Sequence, residues 1–429
     1  MDMDTLILLG SFAIFMLIGM PVAFALGLAA LVGAWWIDLP LDGVMIQIAS
    51  GVNKFSLLAI PCFVLAGAIM AEGGMARRLV AFAGVLVGFV QGGLSLVNIL
   101  ASTFFGAISG SSVADTASIG SVLIPEMEKN GYPRSFATAV TVSGSVQAIL
   151  IPPSHNAVIY SMAAGGTVSV AALFLAGVLP GLLLGLSLCT YCLYVARKRN
   201  FPKGRVIPMR EALHICADAL WGLMTMFIIL GGILSGVFTA TESASIAVLW
   251  AFFVTMFIYR DYKWSDLPKL VHRTVKTVCI VMILIGFAAS FGYMMTLMQI
   301  PLKITAAMTA VSDNPLVILL MVNVMLLMLG TLMDMAPLIL ILTPILLPVM
   351  KTIGVDPVHF GMIMMVNLGI GLITPPVGAV LFVGSAVAKL KIEQVVRAMW
   401  PFFCILLIVL MLVTFVPGIS LWLPRAMNL

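Results

Sequence analysis

The chain has 429 residues, of which 62% are hydrophobic and 9% are charged, and its net charge is +5. A soluble domain carries about 25% charged residues, so this composition excludes a water-soluble enzyme, a secreted disulfide-bonded domain and a disordered protein. Apolar stretches of about 20 residues recur along the chain, and stretches of that length span a bilayer as helices. The basic residues are spread over short loops, which does not suggest nucleic-acid binding. The sequence predicts an all-α polytopic membrane protein.

The N-terminal segment, residues 1–55, is predicted to form scaffold helices. Its apolar run from Thr5 to Ile37 would be about 50 Å long as one helix, against a hydrocarbon core of about 30 Å. Gly19-Met20-Pro21 interrupts the run. The segment is therefore either one kinked, tilted helix or a tight pair, and the side of the N-terminus depends on which of the two forms.

The rest of the chain divides into two similar halves joined by scaffold helices at residues 211–275. Each half contains a span, a mildly amphipathic stretch, a hairpin, a span broken at Pro-Pro and a final span. The first half covers 56–210, with its hairpin at 94–128 and its broken helix at 135–163. The second covers 276–429, with its hairpin at 314–350 and its broken helix at 358–388.

Landmarks in the two halves lie at a nearly fixed offset. Pro152 and Pro375 differ by 375 − 152 = 223, whereas Asp115 and Asp334 differ by 334 − 115 = 219. The second value implies a four-residue length difference between the halves. Because Lys and Arg favour cytoplasmic loops, the basic clusters orient the halves oppositely across the membrane. Inverted repeats with broken helices are typical of secondary transporters.

The interruptions of the apolar runs are the candidate functional sites. Unwound backbone in hydrocarbon leaves carbonyl groups without partners, at a cost of several kcal/mol each. A Na⁺ ion held by carbonyls, hydroxyls and a carboxylate satisfies such groups. We expect one cation site in each half, pairing a hairpin tip with a broken span. The alternative is that the Ser and Thr hydroxyls only bond their own helix backbones.

Several residues have simpler interpretations. Glu242 follows Thr239 at capping-box spacing, so it is expected to start a helix rather than to couple ions. His155 is expected to have a hydrogen-bonded packing role rather than to titrate. A passive channel and an intramembrane aspartyl protease are the alternative functions, although the GxGD segment usual in such proteases is absent. No GxxxxGK[ST] motif occurs, so no P-loop binds ATP, and no enzyme activity is expected.

Six motifs make the chain similar to a known family from about residue 19 to its C-terminus. They are Gly110–Asp115, Ile124–Met127, Asn130–Tyr132, Ile151–Ser154, Ala176–Gly181 and Thr241–Ala244. They resemble the large membrane subunit (M, DctM-like) of tripartite ATP-independent periplasmic (TRAP) transporters. The resemblance implies an elevator-type, Na⁺-driven importer of an organic acid anion in the bacterial inner membrane. It also implies a small membrane subunit and a periplasmic substrate-binding protein as partners, with Na⁺ as the coupling ion and no organic cofactor.

The same resemblance assigns roles to particular residues. The first Na⁺ site would comprise Ser109, Gly110, Ser111, Ser112, Asp115, Pro152, Ser154 and Asn156. The second would comprise Gly330, Thr331, Met333, Asp334, Thr374, Pro375 and Gly378. The substrate would lie between the two hairpin tips, against Ser111, Ser112, Ser154, Asn156 and Asp334.

One stretch departs from the family pattern. Some relatives have an Arg shortly before Gln-Ile-Pro, and this chain has Leu297-Met298 before Gln299-Ile300-Pro301. An Arg clamp on a substrate carboxylate cannot operate there, so the anion must use hydroxyls, backbone N–H groups, helix dipoles or the bound Na⁺. The cargoes usual in the family are acidic sugars such as sialic acid and C4-dicarboxylates, with a slight preference here for sialic acid.

Overall fold

A computed structural model of the chain describes residues 3–72, 74–312 and 314–428; of the predicted ranges, residues 1, 2, 73, 313 and 429 lie outside this set. Within the described ranges the regular elements are helices, and one isolated bridge joins Gln91 to Lys203. Seven of the described helices are long and apolar enough to cross a membrane, or up to nine if two bent pairs each count as one span. The predicted all-α polytopic membrane fold is confirmed.

Three short helices form the N-terminal segment: α1 (Met3–Leu17), α2 (Val22–Trp36) and α3 (Leu41–Val52). The Trp36 indole N–H donates a hydrogen bond to the Asp4 carboxylate at 3.1 Å, which places the end of α2 beside the beginning of α1. The chain turns between them at Gly19, whose φ of +86° is accessible to glycine without strain. The run from Thr5 to Ile37 is therefore an antiparallel pair, not one kinked helix.

The first half contains eight helices. They are α4 (Ala59–Glu72), α5 (Met75–Val87), α6 (Gly93–Ser109), α7 (Ser112–Lys129), α8 (Arg134–Gly144), α9 (Gln147–Leu150), α10 (His155–Ala163) and α11 (Val170–Lys198). Helices α6 and α7 form a hairpin. The segment 134–150 and helix α10 are bent by 50° at the residues between them.

Three helices connect the halves: α12 (Met209–Leu234), α13 (Ala240–Phe253) and α14 (Leu267–Leu297), with a π-helical turn at Val254–Tyr259 after α13. The Thr239 hydroxyl accepts a hydrogen bond from the Glu242 N–H, and the Glu242 carboxylate accepts one from the Thr239 N–H. This reciprocal pair starts α13, so the capping box predicted for Glu242 is confirmed.

The second half continues from α14 with seven further helices. They are α15 (Ile300–Val311), α16 (Pro315–Gly330), α17 (Met335–Thr352), α18 (Pro357–Gly371), α19 (Ala379–Ala388), α20 (Ile392–Phe415) and α21 (Gly418–Ala426). Asn314 caps α16 by accepting a hydrogen bond from the Leu316 N–H at 3.0 Å, and Pro315 occupies its first turn. Helices α16 and α17 form a second hairpin.

Charged residues from three segments that are distant in sequence meet at one end of the bundle. The Arg78 guanidinium, on α5, contacts Asp218 at 3.0 Å and Asp261 at 2.5 Å. Glu72, which lies shortly before Arg78 in the chain, pairs with Arg273 at 2.9 Å. These contacts place the start of α5, the start of α12 and the loop before α14 on the same side of the molecule.

Burial differs strongly between a hairpin arm, α17, and a connecting helix, α12. In the most apolar window of α17, 72% of the residues are buried inside the protein, compared with 28% in that of α12. A hairpin arm is therefore surrounded by protein, while α12 exposes most of its apolar surface for lipid or a partner to cover.

Candidate functional site

The first hairpin turns at residues 109–112, which we call the first tip. Helix α6 ends at Gly110 with φ +60°, and the Ser111 hydroxyl accepts a hydrogen bond from the Ala114 N–H at 3.4 Å to start α7. At the open end, the Gly92 N–H donates to the Pro202 carbonyl at 3.0 Å and the Tyr132 ring lies 4.3 Å from that of Phe201. The first arm of this hairpin therefore begins, and the second arm ends, beside the same segment, residues 201–202.

The first tip meets the interruption of the first broken helix, residues 151–154, which we call the first break. A Cβ atom on Gly110 would lie 2.9 Å from the Pro153 carbonyl oxygen and 3.4 Å from the His155 Nδ1 atom. The Pro152–Pro153 peptide bond is cis. Because the break carries its carbonyl groups up to the tip, the structure brings residues 109–112 and 151–155 together.

The second hairpin turns at residues 330–334, the second tip, against residues 372–378, the second break. The Val377 N–H donates a hydrogen bond to the Thr331 carbonyl at 3.1 Å. A Cβ atom on Gly371 would lie 2.6–2.7 Å from Gly330 backbone atoms, so these glycines allow the two backbones to touch. The Pro375–Pro376 bond is cis, and Gly378, with φ +38°, precedes α19.

The two halves are also joined to each other around the tips. Helix α10 packs against α17, and α7 packs against α19, so the second part of each broken helix contacts the second arm of the opposite hairpin. Helix α10 begins at the first break and α17 begins at the second tip, so their contact links the two regions. Four helix ends meet at the first tip and first break, where α6 and α9 end and α7 and α10 begin, and four meet at the second, where α16 and α18 end and α17 and α19 begin.

Asp115 is the most unusual residue of the site. It lies on α7 about 6 Å along the axis from the tip, is 0% exposed, and neither carboxylate oxygen has a hydrogen-bond partner among the described residues. Ser102 of α6 lies beside it, but its hydroxyl does not reach hydrogen-bonding geometry. A buried unpaired carboxylate is costly unless a cation or a proton compensates its charge.

Other buried polar atoms in the first half share this property. Hydrogen-bond partners are lacking, within the part of the chain that the structure describes, for atoms of Ser102, Thr116, Ser143, Gln147 and Ser154. Four of these side chains offer hydroxyl oxygens, which are ligands that hard cations accept. The first half thus supplies unused oxygen ligands next to the first tip.

The hydroxyls of the second site are bonded within their own helices. Thr331 donates to the Met328 carbonyl at 2.8 Å, and Thr374 donates to the Ile370 carbonyl at 2.7 Å. The alternative expected for Ser and Thr therefore holds for these two donors. A hydroxyl that donates its proton keeps its oxygen lone pairs, and a cation binds through lone pairs.

Asp334 occupies a different position from Asp115. It is exposed and caps α17, accepting a hydrogen bond from the Met335 N–H at 2.8 Å. The residue that caps α7 is Ser111, and 334 − 111 = 223, the same offset as between the Pro-Pro pairs. The predicted correspondence of the two aspartates, with its four-residue length difference, is wrong. At the offset of 223 Asp115 corresponds to Leu338, which is buried.

The predicted site residues fall into three groups. The tips contain Ser109, Gly110, Ser111, Ser112, Gly330, Thr331, Met333 and Asp334, and the breaks contain Pro152, Ser154, Thr374, Pro375 and Gly378. Asp115 and Asn156 lie within the helices that follow the first tip and the first break. Ser112 turns away from the first break, because its hydroxyl donates to the Ser145 carbonyl at 2.7 Å.

Sequence reasoning missed Gln147 and Ser102. The Gln147 carbonyl oxygen accepts a hydrogen bond from Thr103 at 2.8 Å, while its amide nitrogen has no partner among the described residues. Both residues are polar, are fully buried and lie in predicted apolar runs. An isolated amide or hydroxyl inside such a run was the available signal.

The fold and the site together define a helical membrane transporter. The model of the family described as "Tripartite ATP-independent periplasmic transporter, DctM component" matches residues 9–419. The chain belongs to this family. It is therefore a component of a transporter in the bacterial inner membrane, not an enzyme, and the aspartyl protease alternative is wrong.

Relatives match over nearly the whole chain. The chain is 46% identical to the uncharacterized protein YgiK of Salmonella typhimurium over 423 residues, covering 98% of this chain and 97% of that one. It is 45% identical over 373 residues to the C4-dicarboxylate TRAP transporter large permease protein DctM of Pseudomonas aeruginosa, covering 87% of each. It is 37% identical over 410 residues to the sialic acid TRAP transporter large permease protein SiaM of Vibrio cholerae, covering 95% of each.

A solved structure shares the fold at low sequence identity. The YdaH transporter of Alcanivorax borkumensis superposes with a TM-score of 0.62 at 17% identity, covering 88% of this chain and 89% of that one. This likeness concerns the fold alone.

Proposed function

We propose that the chain imports an organic acid anion by Na⁺-coupled secondary transport, after a periplasmic binding protein delivers the anion. The observation that carries this proposal is the meeting of eight helix ends at the two tips and the two breaks. Helix C-termini present carbonyl oxygens that suit cations, and helix N-termini present N–H groups that suit anions. One region therefore offers ligands for both the coupling ion and the cargo.

The first Na⁺ site is proposed at the first tip and first break. Backbone carbonyls near Gly110 and Pro153, the unpartnered Ser154 hydroxyl and the buried Asp115 carboxylate are oxygen donors in this part of the fold. Ser109, Ser111, Ser112, Pro152 and Asn156 complete the proposed set. A monovalent cation beside Asp115 would compensate the charge of this buried, unpaired carboxylate.

The second Na⁺ site is proposed at the second tip and second break. The carboxylate there is Asp334, which is exposed at the turn rather than buried within the helix. Thr331, Thr374 and the backbone around Gly330 and Gly378 supply the other oxygens, with Met333 and Pro375 in the same turns. Since this site is closer to solvent, we expect its ion to exchange more readily than that of the first site.

The anion is proposed to bind between the tips. The tips and breaks contain no Lys or Arg, so the cargo's negative charge must be balanced by helix N-termini, hydroxyls and the bound Na⁺ ions. Ser111, Ser112, Ser154, Asn156 and Asp334 are the proposed contacts. Asp334 would accept a hydrogen bond from a cargo hydroxyl or share its Na⁺ ion with the cargo carboxylate.

The hairpins and broken helices are proposed to move together across the membrane as an elevator. They pack against each other through α10 on α17 and α7 on α19, whereas α12 is mostly exposed. Two Na⁺ ions with a monoanion would carry one net positive charge inward. Each such charge gains about 2.3 kcal/mol per 100 mV of membrane potential.

Two partners complete the proposed transporter: a small membrane subunit and a soluble periplasmic binding protein. The family description names a tripartite transporter. A relative in Oleidesulfovibrio alaskensis is named as an isethionate permease DctMQ, and this chain covers 66% of it. The cargo is proposed to be an organic acid of the C4-dicarboxylate or sialic acid type, because relatives at 45% and 37% identity carry those names.

The test is uptake into proteoliposomes that contain the chain and its small subunit. Uptake is measured with and without an inward Na⁺ gradient, and with and without the binding protein. We expect uptake to require both. Uptake that persists after the Na⁺ gradient is collapsed would refute the coupling, and passive flux without the binding protein would indicate a channel.

A further inference from the structure

His155 is a polar residue at the centre of the site that the proposed roles leave unused. It is the first residue of α10 and directly follows the first break. The residue is partly exposed, and among the described residues no side chain or backbone group forms a hydrogen bond with its ring. The hydrogen-bonded packing role expected from the sequence is therefore not what the structure shows.

The ring lies against the first hairpin tip. Its Nδ1 atom is 3.4 Å from the position that a Cβ atom on Gly110 would take, so it rests against the backbone of that tip. Helix α10, which begins at His155, packs against α17, which begins at the second tip. Because neither tip supplies a hydrogen-bond partner, the ring N–H is available to a ligand that enters between them.

Two neighbours of His155 are also available. The Ser154 hydroxyl is buried without a partner among the described residues, and the Ser154 residue is 2% exposed. Asn156 is 5% exposed. Buried polar groups are normally hydrogen-bonded, so consecutive side chains with unused capacity indicate that a bound molecule completes them.

The corresponding position in the other half has no side chain. At the offset of 223, His155 corresponds to Gly378 and Asn156 to Ala379, since 378 − 155 = 223 and 379 − 156 = 223. The region between the tips is therefore polar at the first break and lacks side-chain donors at the equivalent place in the second. A cargo with its acidic group at one end fits this asymmetry.

We propose that His155 is a specificity-determining residue whose ring N–H donates a hydrogen bond to the carboxylate of the cargo. This assignment rests on the proposed organic-acid transport and deepens it. Since the tips and breaks contain no Lys or Arg, the imidazole takes the part that a basic side chain would otherwise have in orienting the anion. The carboxylate then lies at the N-terminus of α10, where the helix dipole also favours negative charge.

The first experiment compares transport kinetics of the assembled transporter in proteoliposomes. The probes are labelled succinate, N-acetylneuraminate and 2,3-diketo-L-gulonate, and the one that the wild type transports fastest is used. We expect His155→Ala to raise KM about tenfold or more, with a smaller change in the maximal rate and in the Na⁺ half-saturation. His155→Gln, which keeps an N–H donor, is expected to recover part of the affinity.

The control variant is His272→Ala, which removes an exposed histidine of α14 far along the chain from the tips. It is expected to match the wild type. An unchanged KM in His155→Ala would overturn the assignment. Transport of none of the three acids by the wild type would overturn the cargo class and the assignment with it. If uptake is independent of the Na⁺ gradient but His155→Ala still raises KM, the coupling is refuted and the assignment stands.

A second measurement uses the wild type and does not depend on variant folding. Diethyl pyrocarbonate modifies accessible imidazoles, and mass spectrometry reports the modified fraction of each histidine peptide. Saturating cargo is expected to slow modification of His155 at least severalfold and to leave His272 unchanged. Equal rates at His155 with and without cargo would contradict the contact.

Discussion

Gly330 and Gly371 touch through their backbones: the Gly330 Cα atom lies 2.7 Å from the position that a Cβ atom on Gly371 would occupy. The contact joins the end of α16 to the end of α18, where the second hairpin meets the second broken helix. No side chain separates the two elements at this point. The distance between tip and break is therefore set by two residues without side chains.

Gly371→Ala is expected to force these backbones apart. The added methyl group would contact backbone atoms, which cannot rotate away, and overpacking of this kind costs about 1–3 kcal/mol. We expect a lower melting temperature in detergent and a loss of Na⁺-driven uptake larger than the loss of stability explains. Gly292→Ala is the control, because a Cβ atom on this α14 residue would meet nothing within 4 Å; a melting temperature equal to that of this control would contradict the prediction.

Asp115→Asn is expected to remove the Na⁺ dependence of stability. Ligand binding to the folded state stabilises it by RT ln(1 + [L]/Kd), so NaCl should raise the melting temperature of the wild type above its value in choline chloride. In the variant this rise should shrink or vanish. In choline chloride the variant should be at least as stable as the wild type, because an uncompensated buried charge has been removed.

The control for this experiment is Asp42→Asn, an exposed carboxylate in the first turn of α3. It should keep the wild-type response to NaCl. If Asp115→Asn shows the same Na⁺-dependent shift as the wild type, Asp115 does not bind the ion.

Two substitutions separate the capping role of Asp334 from the role of its charge. Asp334→Asn keeps a side chain that caps α17 but removes the charge, whereas Asp334→Ala removes both. Loss of a cap costs about 0.5–2 kcal/mol, so only the alanine variant should be clearly less stable. Both variants should raise the Na⁺ half-saturation for uptake. An asparagine variant with unchanged Na⁺ half-saturation would limit Asp334 to capping.

Arg78→Ala is expected to loosen α5 from the connecting helices. Arg78 contacts two carboxylates and lies 3.7 Å from the centre of the Tyr259 ring. Exposed ion pairs contribute about 0.2–1 kcal/mol each and a cation–π contact about 0.5–1 kcal/mol, so we expect a loss of about 1–3 kcal/mol. Thermal melting measures it, with Arg210→Ala at an exposed position of α12 as the control.

Arg78→Lys sharpens this prediction. Lysine keeps the charge but cannot reproduce a planar fork that reaches Asp218 and Asp261 together while stacking on Tyr259. We expect it to recover less than half of the lost stability. Full recovery would mean that only the charge of Arg78 matters.

Much of the fold follows from the sequence, because bilayer length and helix-breaking residues act locally. The helices are interrupted at Gly110 and at the Pro-Pro pairs, as the glycine and proline positions predict. Asn314 caps α16, as its position before Pro315 predicts. The family motif Gly110–Asp115 located the first tip. These features depend on a few consecutive residues.

Features that depend on packing could not be predicted in the same way. The correspondence of Asp115 with Asp334 used residue type, whereas the helix starts show that Ser111 is the counterpart of Asp334. His155 was expected to find a hydrogen-bond partner, and its ring instead lies beside a glycine backbone. The His359 ring, which bonds Ser420 at 2.6 Å, received no prediction because its partner is distant in sequence.

The antiparallel pair at the N-terminus has a consequence for the surrounding lipid. Helices α1 and α2 contain 15 residues each, so each is about 22 Å long, shorter than the roughly 30 Å of a bilayer's hydrocarbon core. Where this pair crosses the bilayer, the acyl chains beside it must compress or tilt, and this deformation costs a fraction of a kcal/mol per Å. The free energy of the protein in the membrane therefore depends on the thickness of the surrounding bilayer. Lipids with short acyl chains should gather next to this pair.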